Sequence, residues 1–140
     1  MPATGGDAVQ VTKHRGHVAL ESPDGKFVYF SERAGEGERN GTGGLWRLPV
    51  SGGDETPVLP SVTFLNFAVV NDGIYFIPRA DQERRYSIEF FSFRTRKSWR
   101  VLTLSGGVSN GLSVSPDGRT LVYSQKDETK SDLMLIENFR

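Results

Sequence analysis

The pentapeptide Gly107-Val108-Ser109-Asn110-Gly111 matches G-x-S-x-G, the pattern in which a strained strand-to-helix turn pushes a serine outward as a nucleophile. That chemistry needs a helix next, and the residues that follow, Leu112-Ser113-Val114-Ser115, alternate like a strand. The match is therefore assigned to a loop joining two structural units, and no catalytic residue is expected. His14 and His17 are the only histidines, and two imidazoles can begin a metal site. Spacing places no carboxylate beside them, so neither a metal nor another cofactor is expected. Between Arg79 and Arg100, the cations Arg79, Arg84, Arg85, Arg94, Arg96, Lys97 and Arg100 outnumber Asp81, Glu83 and Glu89. Such a stretch attracts anions. Alternation along edge strands, however, turns these charges to solvent, where they also deter edge-to-edge pairing. Trp46, Trp99, Phe90, Phe91 and Phe93 offer faces for stacking on sugars or bases. Their place inside strand patterns assigns them instead to packing between sheets. The Gly-rich stretch Arg33 to Gly44 is expected to be a mobile loop. It does not complete a phosphate-binding G-x-x-x-x-G-K, and its Asn40-Gly41-Thr42 fits a glycosylation sequon only in form.

The elements that must position these residues are strands. No stretch keeps the i, i+3, i+4, i+7 apolar spacing of a helix without a Gly or Pro breaking it. Short runs rich in β-branched and aromatic residues recur instead: Lys26 to Phe30, Leu45 to Val50, Ile74 to Ile77, Ile88 to Phe93, Leu121 to Tyr123 and Leu133 to Ile136. The runs repeat as a set. Ser22-Pro23-Asp24-Gly25 returns as Ser115-Pro116-Asp117-Gly118, and a reduced copy, Asn71-Asp72-Gly73, lies between them. The turn glycines recur after 48 and then 45 residues, the spacing of a four-stranded propeller blade. Pro presets φ, Asp tolerates the next position, and Gly takes the left-handed conformation, so the motif is a hairpin device. Third strands follow at Leu45 to Val50, Ser87 to Phe93 and Asp132 to Glu137. Fourth strands follow twice, at Glu55 to Leu59 and Ser98 to Leu102. The third repeat ends without one. Its counterpart lies near the N-terminus, where Gly5-Gly6-Asp7-Ala8-Val9-Gln10-Val11-Thr12 parallels Gly52-Gly53-Asp54-Glu55-Thr56-Pro57-Val58-Leu59 at an offset of 47.

The chain's 140 residues carry 17 Lys+Arg against 17 Asp+Glu and no cysteine. Zero net charge argues against a phosphate-backbone binder, so no nucleic acid is expected as partner. No apolar run reaches the roughly 20 residues of a membrane span, and no membrane insertion is expected. Absent cysteines exclude a disulfide framework and suit cytoplasm and periplasm alike.

These repeats resemble the WD40-like repeats of TolB-type β-propellers, and the resemblance covers about Gly5 to Arg140. The segments Leu45 to Val50 with Gly52-Gly53, Asp72 to Ile77 and Ser131 to Arg140 also resemble the C-terminal blades of propellers attached to bacterial serine/threonine kinases. No kinase or peptidase domain is present in these residues, and the Trp-Asp dipeptide of true WD40 repeats is missing. The fold implied is all-β, with three four-stranded antiparallel blades at about 16–60, 64–104 and 109–139 and a closing strand at 7–12. That is half of a propeller. Propellers usually have about four to eight blades, so three would leave two apolar faces and one strand edge open. The expected remedy is a homodimer of six blades in which the Ala8 to Thr12 strand of each chain completes the other's last blade. A piece of a longer propeller would satisfy the same faces.

The resulting expectation is a non-catalytic interaction or sensor module that meets a protein or small-molecule ligand at the channel mouth. Contact positions are His14, Arg15, Phe64, Asn66, Ser109 and Asn110 on connections between outer and inner strands, with Arg79 and Arg85 on a neighbouring connection. Two alternatives stand beside it: a hydrolase or lyase assembled across the dimer from His14, His17 and Ser109, and a purely structural half-propeller.

Overall fold

The structure is a computed structural model. It describes residues 5, 7, 10–13, 16–32, 42–63, 65–126 and 131–137. Among these, eleven strands form: β1 (Gly16–Glu21), β2 (Phe27–Glu32), β3 (Thr42–Pro49), β4 (Thr56–Thr63), β5 (Phe67–Val70), β6 (Gly73–Phe76), β7 (Ser87–Ser92), β8 (Ser98–Thr103), β9 (Gly107–Val114), β10 (Thr120–Lys126) and β11 (Ser131–Glu137). The described residues contain no helix.

Each group of strands is an antiparallel meander in sequence order. Sheet 1 is β1-β2-β3-β4, sheet 2 is β5-β6-β7-β8, and sheet 3 is β9-β10-β11. Two sheets therefore have four strands and the third has three. Gln10, Val11 and Thr12 are not in a strand. The segment instead lies beside sheet 1, where the Lys13 amide donates to Glu55 Oε1 and Lys13 Nζ lies 3.7 Å from Asp54.

The hairpins show why the Ser-Pro-Asp-Gly motif recurs. Ser22 Oγ donates to Asp24 Oδ1 at 2.7 Å and accepts the Phe27 amide at 3.0 Å, while the Gly25 amide reaches Ser22 O at 2.9 Å. Ser115 repeats the arrangement: its hydroxyl donates to Asp117 at 2.5 Å and accepts the Thr120 amide at 2.9 Å. Gly25 and Gly118 share φ of 68°, the left-handed region that a Cβ disfavours. The reduced copy is built differently. Val70 pairs directly with Gly73, leaving Asn71 and Asp72 as a two-residue turn, and Gly73 is already a strand residue. Its glycine answers crowding rather than φ, because a methyl group there would collide with Phe91 O and the Phe90 ring.

The core consists of two seams between neighbouring sheets. Tyr29, Leu45, Leu59 and Val62 of sheet 1 meet Phe67, Ile74, Phe76 and Phe91 of sheet 2. On the other face of sheet 2, Tyr75, Ile88 and Phe90 meet Val108, Leu112, Leu121 and Tyr123 of sheet 3. Strand alternation sends neighbouring residues of β6 and β7 to opposite seams, so both faces of sheet 2 are apolar. Aromatic pairs reinforce the seams: Tyr29 stacks on Phe93 at 5.9 Å, and Tyr75 meets Phe90 at 4.6 Å. Full burial of each such side chain contributes roughly 1.5–3 kcal/mol.

Trp99 departs from its expected place in the core. It packs against Phe90 at 4.9 Å, yet half of its surface is exposed. Sheet 2 carries it on a fourth strand, whereas among the described residues sheet 3 has three strands and none to lie opposite.

Candidate functional site

The meander sends three connections to one end of the sheets: Thr63 to Phe67 between β4 and β5, Ile77 to Ser87 between β6 and β7, and Leu104 to Gly107 between β8 and β9. Backbone hydrogen bonds tie the first two together. The Thr63 amide donates to Ile77 O at 2.8 Å, and the Ile77 amide donates to Asn66 O at 2.9 Å. Thr63 Oγ1 adds a bond to Pro78 O at 2.8 Å. Hence the second-to-third connection with Arg79 and Arg85 shares an end with the connection that carries Asn66.

Asn66 is wholly buried and joins this end to sheet 3. Its Nδ2 donates to Ser109 O at 2.9 Å, and its Oδ1 accepts the Gly111 amide at 3.0 Å. Both bonded groups belong to an irregular part of β9. The pairs Tyr123 with Leu112 and Gln125 with Val108 enclose unequal lengths of chain, so Ser109, Asn110 and Gly111 bulge out of the ladder. Gly111 has φ of 119°, which permits the bulge. The carboxamide supplies the partners that the neighbouring strand no longer provides.

This geometry corrects two sequence expectations. The Gly107 to Gly111 stretch is the start of β9, not a connecting loop, because the bulge lets glycine-rich backbone remain in the sheet. Ser109 and Asn110 accordingly lie on an inner strand; Ser109 is half-buried and Asn110 exposed. No helix follows, so the turn required by a nucleophile elbow is missing. Asn66 and Ser109, expected together, are in contact, but through Asn66's side chain and Ser109's backbone.

The remaining expected residues are distributed as follows. His14, Arg15 and Phe64 lie outside the described residues. Arg79 is exposed, and its amide donates to Ser61 Oγ at 2.9 Å. Arg85 is half exposed and held by carboxylates of its own loop, with Nε 3.2 Å from Asp81 and Nη2 3.0 Å from Glu83. Asp81 also accepts the Glu83 and Arg85 amides. The Arg85 amide, and then its side chain, hold the Asp81 carboxyl below the usual aspartate value. This loop is therefore internally neutralised near Arg85. His17 is an exposed residue of β1. Among the described residues, no group of three or more His, Asp or Glu side chains is placed to hold a metal.

A cleft of about 650 Å³ at the opposite end escaped the sequence reading. Tyr75, Phe90, Trp99 and Val101 form its apolar wall, with Asp72 and Arg94 at its rim. Its only sequence signal is a tryptophan on a fourth strand beside a repeat that stops at three. Among the described residues, no helix is long and apolar enough to cross a membrane.

No family model matches the chain, and no curated relative does. Among solved structures, TolB from Acinetobacter baumannii matches with a TM-score of 0.66 and 14% sequence identity, over 97% of this chain and 33% of that one. The chain thus spans about a third of that protein's length. The likeness is one of fold, and it makes the three antiparallel sheets a partial propeller of the TolB-like type.

Proposed function

We propose that the chain is a non-catalytic propeller module whose open face on sheet 3 is met by sheet 1 of a second copy, giving six blades around a channel. The observation that carries this reading is the exposure of Leu133 and Leu135 on the three-stranded sheet, at 78% and 61%. Contiguous apolar surface of this kind marks an interaction face.

The outward faces of sheets 1 and 3 also match in kind. Sheet 3 repeats sheet 1 at its hairpin, with Ser115 in the place of Ser22 and Thr120 in the place of Phe27. Leu121 and Tyr123, which pack on sheet 2, therefore correspond to Val28 and Phe30. Val28 and Phe30 lie on the face of sheet 1 turned away from sheet 2, together with Trp46 and Leu48; within the single chain Phe30 and Leu48 are already buried and Val28 and Trp46 half-buried. Conversely, Val122 on the open face of sheet 3 corresponds to Tyr29, which packs on sheet 2. Each outward face is thus the counterpart of one already used in a seam. Such head-to-tail complementarity closes into a ring when the rotation per unit allows it. Additional sheets of a longer chain would meet the same faces.

Ligand contact is assigned to the end that carries Arg79, Arg85 and Asn110. The partner there would be a protein or a small molecule at the channel mouth. Support for a non-catalytic role is that the repeated residues have turn or packing tasks, as Ser22, Asp24, Ser115 and Asp117 do. Light scattering on the purified chain tests the assembly: a mass of two chains is expected, and a folded monomer at all concentrations would remove the reading.

A further inference from the structure

The six-bladed reading leaves open how one copy would engage the other, and the outer strands of sheets 1 and 2 share a register that answers this. In sheet 1, Arg47 faces Thr56 and Trp46 faces Pro57; the register then slips, and Leu45 faces Leu59 with Val58 left in a bulge. Sheet 2 repeats it: Phe90 faces Trp99, Glu89 faces Arg100, and after the slip Ile88 faces Leu102, leaving Val101. Both bulge valines pack against a seam. Gln10-Val11-Thr12 stands 47 residues before Pro57-Val58-Leu59 and has its valine at the bulge position.

The acceptor side can be aligned in the same way. Tyr123 faces Met134 as Phe30 faces Trp46, so Met134 holds the place of Trp46, and Leu133 that of Leu45. We infer that the N-terminal segment of a second copy adds to the free edge of β11 as an antiparallel fourth strand, with Gln10 opposite Met134, Thr12 opposite Leu133 and Val11 in the bulge. This inference rests on the six-bladed reading and specifies its contact.

Three further observations favour that occupant. Leu133 and Val11, at 78% and 65%, are the most exposed large apolar side chains among the described residues. This register sends both to the open face of the acceptor's sheet 3, the face that meets the donor's sheet 1. The donor segment is also rooted on that sheet already, through Lys13 with Glu55 and Asp54, and a Cβ on Gly16 would touch the Thr12 side chain. Finally, within one chain sheet 2 separates this segment from β11, so the partner is a second copy rather than the chain itself.

The chain has no cysteine, so an engineered pair forms the only disulfide. Directly opposed strand residues lie within the Cα separation a disulfide tolerates, about 4.4–6.8 Å. Gln10→Cys with Met134→Cys is expected to give a covalent dimer on oxidation, roughly tenfold more than Gln10→Cys with Leu135→Cys, where alternation turns the second thiol to the other face. A light-scattering dimer in which the shifted pair links better, or neither pair links, overturns this register and leaves the six-bladed reading standing. A disulfide closing within a single chain, or a folded monomeric mass, overturns the exchange and that reading together.

Discussion

Asn66 grips the Ser109 carbonyl with its side-chain Nδ2 at 2.9 Å, across 43 residues of sequence. With the Gly111 amide on Oδ1, the carboxamide spans the bulge from both sides and locks the third sheet to the connection between the first two. Asn66→Ala removes both bonds and leaves the part-buried Ser109 carbonyl and Gly111 amide without their side-chain partner. A loss of about 1–3 kcal/mol is expected, read from the urea midpoint. Asn66→Asp is expected to be worse at neutral pH, where it buries a charge and cannot donate to Ser109, and to recover partly on acidification as the carboxyl gains its proton.

Acid should weaken the hairpins. The Ser22 hydroxyl first, and then the Lys26 amide, hold the Asp24 carboxyl below its ordinary 3.8. The Ser115 hydroxyl and then the Arg119 amide do the same for Asp117. A pKa lowered by folding contributes stability above the unfolded value and loses it as pH falls through the folded one. The urea midpoint is therefore expected to be insensitive to these groups down to 3.8 and to fall below it. The double variant Asp24→Asn, Asp117→Asn should start lower and lose less in the acid range.

Gly73→Ala tests crowding against conformation. Gly73 has no positive φ, so only the collision with Phe91 O and the Phe90 ring opposes the methyl group. Strand separation around β6 and β7 should cost about 1–3 kcal/mol or more, seen as a lower Tm. An unchanged Tm would show that the hairpin is looser than its geometry implies.

Charge on the open face of sheet 3 should abolish assembly while sparing the fold. Leu133→Asp with Leu135→Asp alters side chains already largely solvated in the single chain. Its circular dichroism is expected to match the parent, whereas its light-scattering mass should halve at the same concentration.

Trp99 gives an optical readout of the same event. Half exposed beside a sheet lacking its fourth strand, it should be quenched by acrylamide in a dilute monomer and shielded once a strand lies along β11. Quenching that does not change with concentration, while the mass does, would place the added segment elsewhere.

The local chemistry of the hairpins was legible from sequence alone. Ser22 and Ser115 bond to groups within five residues, so the motif carries its own geometry wherever the chain places it. The strand runs and the 48- and 45-residue spacing likewise follow from short-range alternation and turn residues, and they determine an all-β chain of three repeated units. Tertiary structure decided the rest. Asn66 reads as a polar residue between strands, and its role depends on a bulge 43 positions away. Gly73 resembles Gly25 in sequence, but its constraint is the neighbouring strand rather than its own φ. Trp99 and Phe90 are equally aromatic, yet only Trp99 is left exposed, because burial depends on how many strands the adjacent sheet has. Turn formation is settled by neighbours along the chain, whereas burial, crowding and long-range hydrogen bonds are settled by neighbours in space.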